Sequence, residues 1–259
     1  MPKSRVSWRS MKTLHDALPP LAPDMALFLD FDGTLVELAA RPDAIIIPPS
    51  LIGTLAALYL RLGGALALVS GRRLPDLDQF LSPLQLPAAG EHGGQRRSAE
   101  GLLMSAPAPD LDAVLQAAQA LVRDYPALQL ERKTLALSLH YRQAPQLESL
   151  CLQTLRQALA RSPELELLQG KCVIDVKLTG VSKGTAITDF MAEAPFAGRL
   201  PVFAGDDVTD EAGFEQVQRL GGYTIKVGAG PTRAQYRCAS VAELASWLES
   251  FRDDSTTQT

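Results

Sequence analysis

The stretch Met25–Glu37, MALFLDFDGTLVE, constrains the fold of this chain more than any other. Met25 to Leu29 form an apolar run of strand length, and a turn signal bounds it. Asp30 and Asp32 follow, and Gly33-Thr34 turn the chain. A side-chain period of two sends both carboxylates to one side at the strand end. Two such charges repel one another unless a cation or a shared proton intervenes. A hard ion such as Mg²⁺ suits that arrangement, together with a carboxylate nucleophile and an acid/base partner. A bare D-x-D is more often an acidic turn capping a helix, so the rest of the chain must supply the other groups of such a site.

At 259 residues the chain has room for one large domain or two smaller ones. Apolar content of 46% and charged content of 21% are ordinary for a soluble globular protein. A net charge of −4 creates no global field favouring nucleic acid or an anionic membrane. An anionic small substrate therefore needs particular Lys and Arg residues. Cys151, Cys172 and Cys238 are scattered and form no C-x-x-C pair, which predicts reduced thiols and neither a disulfide framework nor a zinc site. The first twenty residues carry basic groups but no apolar signal core, and no run approaches the ~18 apolar residues of a membrane span. The expectation is a cytoplasmic monomer with a small-molecule substrate and neither nucleic-acid nor membrane partners.

Residues 1–24 are expected to be a loosely held leader, with a short helix around Ser10–Ala17 that Pro19, Pro20 and Pro23 stop. Ser50 is a candidate N-cap for a helix carrying Leu51, Leu55, Leu58 and Leu62. Ala65–Val69 is a second buried strand ending in Ser70-Gly71-Arg72, Asp76–Leu81 a helix, and Leu86–Ala89 a strand ending in Gly90-Glu91-His92-Gly93. Strand–helix–strand alternation predicts a parallel sheet, whose ligands gather beyond the carboxyl ends of the strands.

From about Gln95 the pattern changes. Asp110–Asp124 is a helix, and Ala127–Glu131 and Thr134–Tyr141 are strands. The second of these alternates Leu135, Leu137 and Leu139 with Ala136, Ser138 and His140, as a half-covered antiparallel strand does. A helix over Gln146–Arg161 and a hairpin of Leu165–Leu168 with Cys172–Leu178 complete an α+β pattern. We read 97–178 as an inserted cap domain and 1–96 with 179–259 as an α/β core. In that core a helix opens at Ser182-Lys183-Gly184, a strand Leu200–Ala204 ends in Gly205-Asp206-Asp207, and a helix spans Asp210–Val217. Tyr223–Val227 is expected to be the last strand and Val241–Phe251 the last helix.

Phosphate-ester hydrolysis through an aspartyl phosphate needs a carboxylate nucleophile, an acid/base, donors for the phosphoryl oxygens and a divalent cation held by carboxylates. Asp30 fits the nucleophile and Asp32 the acid/base. Ser70 offers a hydroxyl, and Lys183 a point charge at a helix start. In Gly205-Asp206-Asp207-Val-Thr-Asp210-Glu211 the clustered carboxylates call for a cation, and a helix start rich in acids explains Asp210 and Glu211 better than Asp206.

DxDGT, then Ser, then Lys, then GDDxxDE is the motif order of the haloacid dehalogenase-like (HAD) phosphatases, which this chain resembles. The resemblance implies a HAD-like Rossmannoid core with an inserted α+β cap. It makes Asp30 nucleophile and Mg²⁺ ligand, and Asp32 the acid/base, with its main-chain carbonyl also on the metal. Asp206 completes the metal site. Ser70, Gly71 and Lys183 hold the phosphoryl group, and Asp207 and Asp210 act behind the metal ligands.

FLDFDGTL, VSGR, GEHG, LERKTLALSLHYR, SKGTAI and GDDVTDE together resemble the bacterial trehalose-6-phosphate phosphatases, from about Ala26 to Phe251. That likeness implies Glu131, Lys133 and an acid in the following hairpin as the grip on the second glucose. Bacterial relatives typically carry Glu at the last position, where this chain has Asp175, one methylene shorter. Arg72, His92, His140 and Arg142 are further candidates. The expected reaction is Mg²⁺-dependent hydrolysis of trehalose 6-phosphate to trehalose and phosphate. Within the same class, the competing reading is a capped phosphatase for sucrose phosphate or a hexose phosphate. Outside it stand a phosphoacceptor signalling protein, which carries no large insertion, and a silent sugar-phosphate binder.

Overall fold

The computed structural model describes residues 17–39, 41 and 43–253. The leader helix expected around Ser10–Ala17 falls, but for Ala17, outside the described residues, as does 254–259. In chain order the elements are β1 (Met25–Leu29), α1 (Leu51–Arg61), β2 (Leu66–Val69), α2 (Leu74–Leu81), β3 (Ala88–Gly90), β4 (Gln95–Arg97) and β5 (Leu103–Ser105). Then come α3 (Asp112–Asp124), β6 (Gln129–Arg132), β7 (Leu137–His140), α4 (Glu148–Ala158), β8 (Leu165–Gly170) and β9 (Val173–Leu178). The chain closes with α5 (Lys183–Met191), β10 (Leu200–Gly205), α6 (Glu211–Arg219), β11 (Tyr223–Val227), β12 (Tyr236–Cys238) and α7 (Val241–Asp253).

An eight-stranded sheet runs β12-β11-β10-β1-β2-β3-β4-β5. Its strands from β12 to β3 are parallel, and β4 and β5 add an antiparallel edge. All five residues of β1 are buried, as a parallel strand covered on both faces requires. Because β1 lies between β10 and β2, Asp30, Ser70 and Asp206 leave neighbouring strands at the same edge, the carboxyl edge where α/β sheets bind ligands.

A second, four-stranded antiparallel sheet runs β6-β7-β9-β8. Its apolar face packs on α3 and α4 around Val114, Ala118, Leu137, Leu139, Cys151, Leu155, Ile174 and Val176, a core separate from that of the large sheet. Burial raises the thiol pKa of Cys151, and it pushes that of Cys238 up to about 11, so these cysteines sit as inert apolar groups.

The structure departs from the sequence reading at several points. Residues 95–105, assigned largely to the inserted unit, pair instead with the edge of the large sheet, and the second core begins at Leu111. Tyr223–Val227 is followed by one more strand, Tyr236–Cys238, whose three residues are too few to carry a periodicity. Ser50 makes no side-chain cap, its backbone already being helical. Ser138, expected on a solvated face, is fully buried, because the alternate face of β7 looks into the cleft between the units.

Aromatic packing holds the large core beside the site. Phe28, Phe190 and Phe196, all fully buried, place their ring centroids 5.9, 5.4 and 5.0 Å apart pairwise. Phe196→Ala should destabilise the protein by about 3–5 kcal/mol. In urea unfolding this appears as a lower midpoint with an unchanged slope.

Candidate active site

Asp30 sits where β1 ends and is almost fully buried. Lys183 at the start of α5 donates to its Oδ1 at 2.7 Å, and the Thr34 hydroxyl donates to its Oδ2 at 3.2 Å. The same ammonium donates to Asp210 Oδ1 at 2.6 Å. Burial disfavours the charge on Lys183, but Asp210 and Asp30 outweigh it and hold the pKa far above the usual lysine range. Asp30 moves the other way. Burial, with Asp210 and Asp206 adding like charge, pushes its carboxyl well above the carboxylate range, against the pull of Lys183.

The loop after β10 is built on Asp210. Its Oδ2 accepts from the backbone N–H of Asp206 and of Asp207, both at 2.9 Å, so this carboxylate is committed to the loop and to Lys183. Asp206, Asp30 and Asp210 bring carboxylate oxygens within 4.8 Å of one another, whereas the Asp32 side chain lies apart from that trio. Gly33 lets the loops approach this closely. Its φ is +77°, and a Cβ there would stand 2.2 Å from Asp206 Oδ2. Hard oxygen donors in such a cradle fit a divalent cation such as Mg²⁺. Lys226, buried at the end of β11, donates to the main-chain carbonyl of Asp206.

The Ser70 hydroxyl is buried at the end of β2 and accepts from the Arg72 N–H at 3.2 Å. It caps no helix, since α2 begins beyond it. Arg72 grips Asp32 with both arms, Nε to Oδ2 at 2.6 Å and Nη2 to Oδ1 at 2.7 Å, with the ring of Phe80 4.9 Å from the guanidinium. Arg72, a candidate sugar contact, lines the cavity and also holds the candidate acid/base. Gly71 leaves room for His92, whose ring a Cβ would meet at 2.6 Å.

From the smaller unit come Glu131, Lys133 and Asp175. Lys133 donates to the Gly71 carbonyl at 3.0 Å and stands 3.7 Å from Asp175. Asp175 accepts from the Ser138 hydroxyl and faces His92 Nε2 at 3.2 Å. Burial works against its charge, yet Lys133, His92 and Ser138 hold it far below the carboxylate range. Burial likewise opposes the charge on Glu131, but His140, 3.2 Å away, and Lys133 lower its pKa. Burial keeps His92 below its usual pKa and so neutral near pH 7, and neither of its ring nitrogens makes a well-formed hydrogen bond among the described residues. Arg142 donates to the carbonyls of Ala39 and Lys171, bracing loops at the cavity rim.

One cavity joins these groups. It is lined by Asp30, Asp32, Ser70, Gly71, Arg72, His92 and Lys183 from the large unit, and by Glu131, Lys133, Ser138, Arg142 and Asp175 from the smaller. Asp206 and Asp207 line it too, while Asp210 stands behind them, fully buried. Sequence reasoning missed Lys171, at the tip between β8 and β9, whose ammonium donates to Asp206 and whose N–H donates to Asp207 Oδ2 at 3.0 Å. It also missed Lys226, although a lysine inside the apolar run YTIKV was a signal in itself, and it gave Glu91 no role within GEHG.

A family model described as trehalose-phosphatase matches residues 28–242. The trehalose-6-phosphate phosphatase of Escherichia coli (strain K12) is 45% identical over 234 residues, 89% of this chain and 88% of that protein. A Sinorhizobium fredii protein named as a probable trehalose-phosphate phosphatase is 42% identical over 219 residues, 83% of each chain. The solved C-terminal domain of the Candida albicans trehalose-6-phosphate phosphatase superposes with a TM-score of 0.81 at 22% identity, covering 88% of this chain and 92% of that one. A HAD-superfamily phosphatase from Bacteroides thetaiotaomicron shares the fold, with a TM-score of 0.60 at 14% identity over 91% of this chain and 98% of its own. With this fold, and with a family match that spans both sheets, the chain belongs to the trehalose-phosphatase family of HAD-fold phosphatases.

Proposed function

We propose that the chain hydrolyses trehalose 6-phosphate to trehalose and inorganic phosphate, with the phosphoryl group carried in passing on Asp30. The observation that carries this reading is the meeting of two sets of groups in one cavity. Asp30, Asp32, Ser70, Lys183 and Asp206 stand at the strand ends of the large sheet, and Glu131, Lys133 and Asp175 face them from the smaller. The smaller unit acts as a cap over the substrate. The three cysteines, all free thiols, agree with a reducing compartment, and we assign the cytoplasm. No helix among the described residues is long and apolar enough to cross a membrane.

In the first half-reaction an Asp30 oxygen attacks phosphorus as the bond from phosphorus to the sugar oxygen breaks. Asp32 gives its proton to that leaving oxygen. In the second, Asp32 takes a proton from water, the water oxygen attacks phosphorus, and Asp30 is released with phosphate. Arg72 aims Asp32 into the cavity, and one of its two bonds must open for the proton to move. Ser70, the Gly71 backbone and the Lys183 ammonium receive the phosphoryl oxygens. Mg²⁺, held by Asp30, Asp206 and the Asp32 carbonyl, with Asp207 and Asp210 behind them, would offset the charge of the phosphoryl group when bound. The cap reads the sugar. Glu131, Lys133, Asp175 and the neutral imidazole of His92 offer buried donors and acceptors to hydroxyls, and a sugar lacking those hydroxyls leaves them unpaired.

Phosphate release from trehalose 6-phosphate should exceed that from sucrose 6-phosphate or glucose 6-phosphate by orders of magnitude, and excess chelator should stop it. Equal rates across the panel would remove the substrate assignment while leaving the phosphatase. Asp30→Asn should keep the circular dichroism of the native protein and release no phosphate; an active variant refutes the mechanism. Lys133→Ala should raise KM about tenfold or more with a smaller loss in kcat, because Asp175 then loses its charged partner.

A further inference from the structure

Among the described residues of the large unit, the one turn with left-handed backbone at non-glycine positions leads to a carboxylate that the proposed mechanism does not use. Glu91 and His92, immediately after β3, both adopt left-handed backbone, with φ of 48° and 60°. Neither is glycine, and such conformations are costly and persist only where the surroundings fix them. Here the surroundings do so. Glu91 N–H donates to the Arg72 carbonyl at 2.8 Å, and His92 N–H donates to the Ser70 carbonyl at 2.9 Å. The turn is thus bolted to the loop that carries the phosphoryl donors.

The Glu91 side chain crosses to the other unit. It is 1% exposed, and its two oxygens accept from the backbone N–H of Thr134 at 3.2 Å and of Leu135 at 2.6 Å. Those amides form the turn between β6 and β7, the turn that carries Lys133 with Glu131 just before it. A buried carboxylate accepting two N–H groups makes strong, charge-assisted bonds and fixes a direction as well as a distance. One residue therefore joins the backbone of the phosphoryl loop to the backbone of the sugar-reading turn.

We propose that Glu91 is a positioning residue that sets the separation and register between the phosphoryl seat and the sugar-reading turn of the cap. Its role is to make the enzyme select a phosphorylated disaccharide over a bare phosphate monoester. This rests on the reading of Glu131 and Lys133 as sugar contacts given above.

The experiment compares the full chain with Glu91→Gln and Glu91→Ala on trehalose 6-phosphate and on p-nitrophenyl phosphate, which has no second sugar for the cap to read. For Glu91→Ala, kcat/KM on the disaccharide phosphate should fall about tenfold to a hundredfold, mainly through KM, with p-nitrophenyl phosphate hydrolysis within about twofold of the parent. Glu91→Gln keeps an acceptor and nearly the same volume, so it should fold and recover part of the loss. Amide hydrogen exchange at Thr134 and Leu135 should speed up in Glu91→Ala while the strands of the large sheet keep their protection. An equal loss on both substrates would reduce Glu91 to a structural residue, and unchanged kinetics and exchange in Glu91→Ala would overturn the proposal outright. Should the parent fail on trehalose 6-phosphate, the substrate assignment falls, and the exchange of the two amides still judges the clamp.

Discussion

A single buried ammonium organises this protein's chemistry. Lys183 bonds Asp30 and Asp210 at once, at 2.7 and 2.6 Å, and all three groups are out of water. Charges so buried persist only when paired and hydrogen-bonded, and removing one partner leaves the others uncompensated. Because Asp210 also shapes the loop of Asp206 and Asp207, the lysine ties together the ends of β1 and β10 and the start of α5. The sheet supplies the edge on which these groups stand, and the ion triad fixes where their oxygens point.

The two units meet through charged and polar groups, each having its own apolar core. Lys133 reaches the Gly71 carbonyl, Lys171 reaches Asp206, His92 faces Asp175, and Arg142 reaches the Ala39 carbonyl. Polar interfaces of this kind between units of one chain come apart far more readily than either core. That suits a site whose substrate must enter between the units and whose chemistry must exclude water. Lys133, His92 and Asp175 bridge the cleft and are the groups we assign to the sugar. In that reading substrate exchanges some protein partners for ligand partners, while the bonds from Thr134 and Leu135 to Glu91 stay in place.

The large sheet was legible in the sequence because its strands are buried on both faces and read as unbroken apolar runs ending in Asp, Ser or Gly. The motif residues at those ends converge in one cavity for the same reason, since parallel neighbours deliver their carboxyl ends to one edge. What failed was short or conditional. Tyr236–Cys238 and Leu103–Ser105 hold three residues each, too few to show a period, and β5 exposes its leucine and methionine side chains at the sheet edge. Ser138 misled the face assignment, because a polar residue facing a cleft has the same pattern as one facing solvent. The grip of Arg72 on Asp32 was not legible, because a single sequence gives an arginine its charge but not its partner, and that carboxylate lies 40 residues away.

The placement of the smaller unit within the chain also bears on how the protein assembles. Phe28 in β1 is in register with Ala67 in β2, close by in sequence, and with Phe203 in β10, on the far side of the inserted unit. Pairing β1 with β10 must close a loop that includes every residue of the smaller unit, and the entropy of closing a flexible loop rises with its length. The smaller unit is continuous in sequence, with its own helices, sheet and apolar core, so it can collapse without waiting for β10. Once it has done so, that part of the loop is no longer coil, and what remains to be ordered is residues 30–110 and 179–199 on either side of a folded body. Loop entropy thus favours an order in which the middle of the chain forms before its two flanks join, and the catalytic edge, which needs both flanks, is the last part to be completed.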